Sequence, residues 1–161
     1  MVFTSRKKDW RTGPIAWMAR NSIAAHLLMF ILLGGGIARA HAYALNALKF
    51  YYDDVPEPVL FSVASRNAER RKRFAEKYGF MHAESPEAFG KNSEIDTVFI
   101  LGPNNVHFDH LVMALAMPSV ERIYIEKPVC ATHGEEMKMH DLDTGDKVIR
   151  VGFQFLQTAA V

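Results

Sequence analysis

The sequence predicts an α/β fold, in which a doubly wound parallel sheet is covered by helices on both faces. Short apolar runs alternate along the chain with helix-compatible segments, as they do in parallel sheets. The first apolar run, residues 27–33, leads into three glycines, Gly34, Gly35 and Gly36, and a helix-compatible segment follows at once. With 161 residues, of which 49% are hydrophobic, the chain has the size and composition of one domain with an apolar core.

The glycine stretch is typical of a buried strand that leads into a phosphate-binding turn. Glycines let the backbone turn sharply and approach a ligand, and the helix that follows offers free N–H groups to an anion. The G-x-G-x-x-[GA] pattern fits in two registers. One begins at Gly34 and puts the bulky Arg39 third, whereas the other begins at Leu33 and puts Ala38 where helix and strand pack closely. A glycine-rich turn without a ligand is the alternative.

The later segments follow the same alternation. We expect Asn67 to cap a helix that Gly79 closes, because both residues suit those positions. Helices are expected over residues 37–48, 68–78, 105–117 and 133–142, with a short helical turn at 86–89 and a surface connection at 50–58. Strands are expected over residues 59–64, 95–101, 122–126 and 147–153. With the first strand these make a sheet of the Rossmann type.

Composition excludes several classes of partner. A net charge of +1 gives no argument for nucleic acid or for a charged membrane surface. The single cysteine, Cys130, has no partner for an internal disulfide and is compatible with a reducing compartment. Because the seven histidines are scattered and no CxxC or HExxH motif occurs, we expect no metal site. We therefore expect a cytoplasmic protein, and the oligomeric state stays open.

Residues 1–26 do not match this pattern, so the dinucleotide-binding domain is expected to cover residues 27–161. The first 20 residues contain five lysines or arginines and one acid, without apolar periodicity. A disordered or helical basic extension is one interpretation, and a signal peptide or membrane anchor is another. Residues of about 13–36 also resemble the N-terminus and first transmembrane helix of a resistance-nodulation-division efflux transporter. The apolar run at residues 27–38 is, however, too short to span a bilayer.

Ser65 and Arg66 follow the second predicted strand. A Rossmann fold that prefers NAD usually has an acid here, which binds the ribose 2′-hydroxyl. A small hydroxyl and a guanidinium suit a 2′-phosphate instead. The sequence therefore predicts NADP as the cofactor, with NAD as the alternative. Residues 70–72 are basic and raise the local positive potential, but we expect them on a solvent-exposed helix face.

Two further motifs end the third and fourth predicted strands. Residues 102–107 read Gly-Pro-Asn-Asn-Val-His, and residues 126–128 read Glu-Lys-Pro. Ligands of open parallel sheets bind in the crevice outside the carboxyl ends of the strands, so both motifs face the same place as the glycine turn. A lysine in this crevice can donate to a substrate hydroxyl or carbonyl and stabilise developing charge.

The motifs together resemble the nucleotide domain of the glucose–fructose oxidoreductase / inositol dehydrogenase (Gfo/Idh/MocA) family. In order, they lie at residues 35–41, 103–107, 126–128 and 151–154. The resemblance implies hydride transfer between NAD(P) and a CH–OH group of a sugar or polyol. It places Lys127, as the catalytic residue, near the nicotinamide and the substrate. It places Glu126 and Asn104 near the nicotinamide ribose and Arg66 at the adenosine end.

The expected cofactor-binding residues combine these motifs with the glycine turn. They are Gly34, Gly35, Gly36, Ile37, Ala38, Ser65, Arg66, Pro103, Asn104, His107, Glu126, Lys127 and Pro128. For His41 and His107 a packing or capping role is at least as good an interpretation as chemistry. We expect His110, His133 and His140 on helix surfaces.

The family has a second α/β domain, which carries most substrate contacts and the usual catalytic base. We expect this chain, which ends at Val161, to lack that domain and to be incomplete as a catalyst on its own. A nucleotide-binding or regulatory module without turnover is one alternative, and a truncated or fused reading frame is another. The substrate, its stereochemistry and the general base are not identified by the sequence.

Overall fold

The computed structural model describes residues 26–30, 36–54 and 57–153. Within these ranges, six strands form one sheet, and helices connect them. The strands are β1 His26–Phe30, β2 Val59–Ala64, β3 His82–Glu84, β4 Thr97–Ile100, β5 Arg122–Glu126 and β6 Val148–Gly152. The helices are α1 Gly36–Tyr51, α2 Ala68–Tyr78, α3 Pro86–Phe89, α4 His107–Ala116 and α5 His133–His140, and a 3-10 turn, Asn104–Val106, precedes α4.

The sheet has the strand order β3-β2-β1-β4-β5-β6, and every pair of neighbours is parallel. This is the Rossmann order, in which the chain winds outward from β1 and then reverses direction at β4. The predicted fold class, a doubly wound parallel sheet, is confirmed. The crevice that such a reversal opens lies beyond the carboxyl ends of β1 and β4.

Two apolar clusters cover the two faces of the sheet. Consecutive residues of β4 alternate between them, with Val98 and Ile100 in one cluster and Phe99 in the other. Residues of α1 and α2 complete the cluster around Phe99, and residues of α3 and α4 complete the opposite one. All four residues of β4 are buried, as expected for a strand covered on both faces.

Local capping sets several helix ends as predicted. The Asn67 side chain accepts a hydrogen bond from the Arg70 backbone N–H, and Gly79 closes α2 in the left-handed region with φ of 80°. Glycine adopts this conformation at little cost, because it has no Cβ atom to crowd the adjacent backbone carbonyl oxygen. At α5, Thr132 and Glu135 form a reciprocal capping box.

Several element boundaries were predicted wrongly. Strand β3 was not expected, because three residues that are exposed or half-buried carry no hydrophobic alternation. Helix α1 extends to Tyr51 instead of ending at residue 48, since the chain has no helix-breaking residue before Asp53. The third strand is shorter than predicted and spans Thr97–Ile100.

The buried face of α4 also differs from the predicted one. The apolar spacing of residues 108, 111, 112 and 115 predicts that these side chains face the core. In the structure Leu111 is buried as predicted and Leu115 packs partly against the core, but the other buried residues are His107, His110 and Ala114, and Val112 is 40% exposed. The helix is therefore rotated so that two histidines face inward.

The predictions for residues 1–25, including the basic extension, lie outside the described residues, as do those for Gly34, Gly35 and the end of the chain. At His26–Phe30 the backbone forms a strand of the parallel sheet. The resemblance to an efflux transporter would place a transmembrane helix there, and the structure gives it no support at these positions. Within the described ranges, none of the helices combines enough length with enough apolar character to traverse a bilayer.

Candidate functional site

The carboxyl ends of the central strands are aligned at one edge of the sheet. Phe30 pairs with both Ala64 and Ile100, and Ile100 pairs with Ile125. The residues that follow these positions must therefore lie side by side beyond the same edge. They are the segments 65–66, 102–104 and 126–128. The structure thus brings together the three predicted motifs that follow strands.

Helix α1 is the first helix after β1 in the chain. Gly36 is the first residue of this helix, and a Cβ atom added to it would meet no atom within 4 Å. Ala38 is 1% exposed and packs in the core, whereas Arg39 is exposed. Ile37 packs against the same core. This burial favours the glycine register in which Ala38 is the small third residue.

Two short-range hydrogen bonds and one backbone hydrogen bond, from Ser65 N–H to the Glu84 carbonyl oxygen of β3, hold the turn after β2. Ser65 is 2% exposed, and its hydroxyl accepts from the Asn67 backbone N–H at 3.2 Å. Its carbonyl oxygen accepts from Arg71 Nη1 at 2.9 Å. Arg71 was predicted to lie on a solvated helix face, but its guanidinium instead stabilises this turn through the hydrogen bond to Ser65. Arg66 itself is exposed, so its guanidinium is accessible to a ligand beyond the edge of the sheet.

Glu126, at the end of β5, is buried in a polar network. Its Oε1 accepts from the Tyr124 hydroxyl at 2.8 Å and lies 3.3 Å from Nε2 of His41. Its Oε2 accepts from the Lys127 backbone N–H at 3.1 Å. A carboxylate that is only 6% exposed needs such donors to remain stable in the interior.

The network depends on a glycine in the neighbouring strand. Gly152 pairs with Glu126, and a Cβ atom there would overlap the Tyr124 hydroxyl and lie 2.8 Å from Glu126 Oε1. The sequence motif included Gly152 but assigned it no role, and it missed Tyr124 altogether. Because Tyr124 and Glu126 are two residues apart on one strand, the period of two places them on the same face and would have linked them.

The pKa values of this network favour neutral partners around the carboxylate. Burial lowers the pKa of His41, and the hydrogen bond to Glu126 and its charge only partly oppose this effect. Burial raises the pKa of Tyr124, and Glu126 raises it further. Both side chains therefore stay in the uncharged form at neutral pH and can donate to Glu126. The His41 ring also packs against the Tyr124 ring, with centroids 5.0 Å apart and ring planes inclined by 58°.

His107, the first residue of α4, is buried at 1% exposure. Its Nδ1 is 2.7 Å from the Pro128 carbonyl oxygen, and its Nε2 is 2.8 Å from the Gly102 carbonyl oxygen. The ring thus connects the segment after β4 with the segment after β5. One helical turn further, His110 is 9% exposed, so its predicted position on a helix surface was wrong. Burial, with the charges of His107 and Arg66, lowers the pKa of His110 to about 4.

The remaining predicted residues face solvent at this edge. Pro103 and Asn104 are exposed after β4, and Lys127 and Pro128 are exposed after β5. The Lys127–Pro128 peptide bond is cis. The predicted residues thus form two groups. Some are buried and hold the turns, and the others are accessible to a ligand.

Comparison with known proteins agrees with this architecture. A family model described as an oxidoreductase family with an NAD-binding Rossmann fold, GFO_IDH_MocA, matches residues 29–153. The chain belongs to the Gfo/Idh/MocA family. Its described residues form the NAD-binding domain of that family, as the motifs predicted. No curated protein sequence matches the chain.

Several solved structures of similar fold are oxidoreductases. An NAD-binding oxidoreductase from Klebsiella pneumoniae is 25% identical with a TM-score of 0.71, and the match covers 84% of this chain and 36% of that protein. Levoglucosan dehydrogenase in complex with NADH and levoglucosan is 26% identical with a TM-score of 0.67, covering 80% and 35%. A 3-ketoreductase from Actinomadura kijaniata, in complex with NADP and TDP-benzene, is 22% identical with a TM-score of 0.61, covering 81% and 38%. This chain therefore spans little more than a third of the length of these Gfo/Idh/MocA-like structures.

Proposed function

We propose that this Gfo/Idh/MocA domain binds a nicotinamide dinucleotide for hydride transfer to or from a CH–OH carbon of a sugar or polyol. The observation that carries the proposal is the exposed Lys127 beside the anchored carboxylate of Glu126. Both lie on the same sheet edge as the other strand-end motifs. That levoglucosan dehydrogenase was crystallised with NADH and levoglucosan supports a carbohydrate substrate.

In this proposal the exposed residues contact the ligands, and the buried residues position them. The nicotinamide would supply the hydride chemistry when bound. The exposed Lys127 ammonium would donate to the substrate oxygen and stabilise its developing charge. Asn104 would contact the nicotinamide ribose. The carboxylate of Glu126 already accepts from three groups and would chiefly hold Lys127 in place. We propose that the substrate contacts and the general base come from outside the described residues.

Arg66 is the basis for a preference for NADP over NAD. Its exposed guanidinium follows β2, where an NAD-preferring fold usually has an acid. Arginine binds phosphate through a planar set of N–H donors, and Ser65 adds no negative charge to repel it. We also propose a cytoplasmic location, with which the single cysteine, Cys130, is compatible.

Titration of the full chain with NADPH and with NADH, followed by nucleotide fluorescence, tests the proposal. We expect saturable binding of both and tighter binding of NADPH. Arg66→Asp should weaken NADPH binding about tenfold or more, because it replaces a phosphate ligand with a like charge, and should leave NADH binding almost unchanged.

Arg73→Asp is the matched control. It changes the net charge equally, but Arg73 lies further along α2 and pairs with Glu69 at 3.5 Å. We expect this variant to retain the wild-type ratio of the two affinities. Absence of saturable binding to either nucleotide would overturn the function. Equal losses of NADPH and NADH binding in Arg66→Asp would overturn the role of the arginine.

A further inference from the structure

We propose that His107 is a positioning residue. It holds the turn after β5 that carries Lys127 (residues 126–128, the lysine turn) against the loop after β4, residues 102–104. This inference rests on the proposed function, because the turn it holds carries Lys127. The evidence is the pair of carbonyl oxygens that face its two ring nitrogens, that of Gly102 at 2.8 Å and that of Pro128 at 2.7 Å. One ring thereby spans the two segments that follow the paired strands β4 and β5.

Burial rules out direct contact between His107 and a ligand in this conformation. The residue is 1% exposed, and each ring nitrogen already faces a backbone oxygen. A ligand in the crevice would meet the backbone of the two turns before it met the ring. The contribution of His107 to the site is therefore indirect, through the position of Lys127.

The lysine turn is held from both sides. On the β5 side, the Lys127 backbone N–H donates to Glu126 Oε2 at 3.1 Å. On the other side, the carbonyl oxygen of Pro128 lies against Nδ1 of His107. Lys127 itself is exposed, so these backbone contacts determine where its side chain begins. A shift of about 1 Å in a positioning group can cost as much as a hundredfold in rate, which makes such contacts functionally important.

The two contacts of His107 can be separated by amide substitution. A carbonyl oxygen only accepts, so each contact is a hydrogen bond only when its ring nitrogen carries a hydrogen, and a neutral ring carries one on a single nitrogen. The Asn side-chain nitrogen has about the same distance from the backbone as Nδ1, and the Gln nitrogen has about the same distance as Nε2. His107→Asn therefore retains a donor toward Pro128, and His107→Gln retains one toward Gly102. If the lysine turn is what the histidine positions, the Asn variant is the milder of the two.

The test measures binding of NADPH and of 2′,5′-ADP to the full chain. The first probe reaches both ends of the site, and the second contains only the adenosine half. We expect His107→Gln to weaken NADPH about tenfold and His107→Asn about threefold or less, with 2′,5′-ADP affinity unchanged in both. The emission of bound NADPH should shift toward that of the free nucleotide in the Gln variant, because the nicotinamide is held less firmly.

His133→Asn serves as the control, because its side chain is 81% exposed on α5. It should bind both probes as the wild type does. Parallel losses of NADPH and 2′,5′-ADP in His107→Gln would mean a general structural role and would overturn the inference. Equal behaviour of the Asn and Gln variants would overturn it as well. Wild-type protein that binds 2′,5′-ADP but not NADPH would instead overturn the proposed function.

Discussion

The turn after β2 and the turn after β5 lie on the same edge of the sheet but are held in different ways. The side-chain hydrogen bonds around Ser65 join residues two and six positions apart, and the Ser65 backbone N–H donates to the Glu84 carbonyl oxygen of β3 at 3.3 Å. Those around Glu126 and Pro128 include pairs that are 85 and 21 positions apart. The turn after β2 is thus held within its own segment and by the adjacent β3, whereas the turn after β5 depends on the packing of α1, α4 and β6.

This difference determines how each turn responds to change. A local turn can lose one hydrogen bond while the surrounding sheet keeps its position. A buried network that joins several elements cannot lose a hydrogen bond in this way, because the unpaired buried polar group lowers the stability of the whole domain. Perturbations near Glu126 should therefore affect the stability of the fold more than equivalent perturbations near Ser65.

The largest effect is expected for Gly152→Ala. The added methyl group would overlap the Tyr124 hydroxyl and crowd Glu126 Oε1, so the network must shift or break. We expect the free energy of unfolding to fall by about 3 kcal/mol, near the upper end for overpacking in a core. Urea unfolding followed by circular dichroism measures the change.

Gly134→Ala is the control for this substitution. A Cβ atom at Gly134, in the first turn of α5, would approach only Thr132 Oγ1, at 3.9 Å. Alanine is also the better helix former, so this variant should be as stable as the wild type or up to about 1 kcal/mol more stable. Equal destabilisation by the two substitutions would show that the space beside Glu126 has no special importance.

An intermediate effect on the free energy of unfolding is expected when the pH is lowered, and it should come from His110 in α4. The pKa of His110 is lowered from 6.5 to about 4 by burial and by the charges of His107 and Arg66. The folded state therefore favours the neutral ring. Above pH 6.5 the ring is neutral in both the folded and the unfolded chain, so His110 costs no stability. As the pH falls from 6.5 toward 4, the unfolded chain takes up a proton that the folded ring does not, and the free energy of unfolding falls. Between pH 7 and pH 5 the loss should be about 2 kcal/mol.

The contribution of His110 is isolated by comparing variants at each pH. The stability of His110→Gln should fall less than that of the wild type over this interval, because glutamine does not titrate. His41 shifts in the same direction and continues to contribute in both proteins. His140→Gln, at an exposed position of α5, should retain the wild-type pH dependence. Identical pH profiles for wild type and His110→Gln would contradict the prediction.

The smallest effect is expected for Asn67→Ala beside the turn after β2. The substitution removes the cap of α2, a hydrogen bond of 2.9 Å to the Arg70 backbone N–H. The expected loss is about 1 kcal/mol, and Asn67→Ser should recover most of it, because serine is an equally good capping residue. Thermal unfolding of the three proteins measures the difference. A loss as large as that of Gly152→Ala would remove the distinction between the two turns.

Local features of the fold were predictable from the sequence. The capping residues Asn67 and Gly79 and the alternation of strands and helices depend on neighbouring residues, so short patterns reveal them. Strand β3 was missed because three residues form a strand only when β2 offers them a partner. The inward rotation of α4 was missed because the apolar spacing of residues 108–115 indicated a different face.

The sequence by itself determined which polar residues stand after each strand and therefore gather at one edge of a parallel sheet. Tertiary structure alone decided which of them are buried. Glu126 and Lys127 are neighbours in one motif, yet the first is 6% exposed beneath Tyr124 and His41, and the second faces solvent. Burial depends on partners from distant segments, which no local pattern encodes. For the same reason His107, predicted among the ligand-binding residues, lies in the interior between two backbone turns.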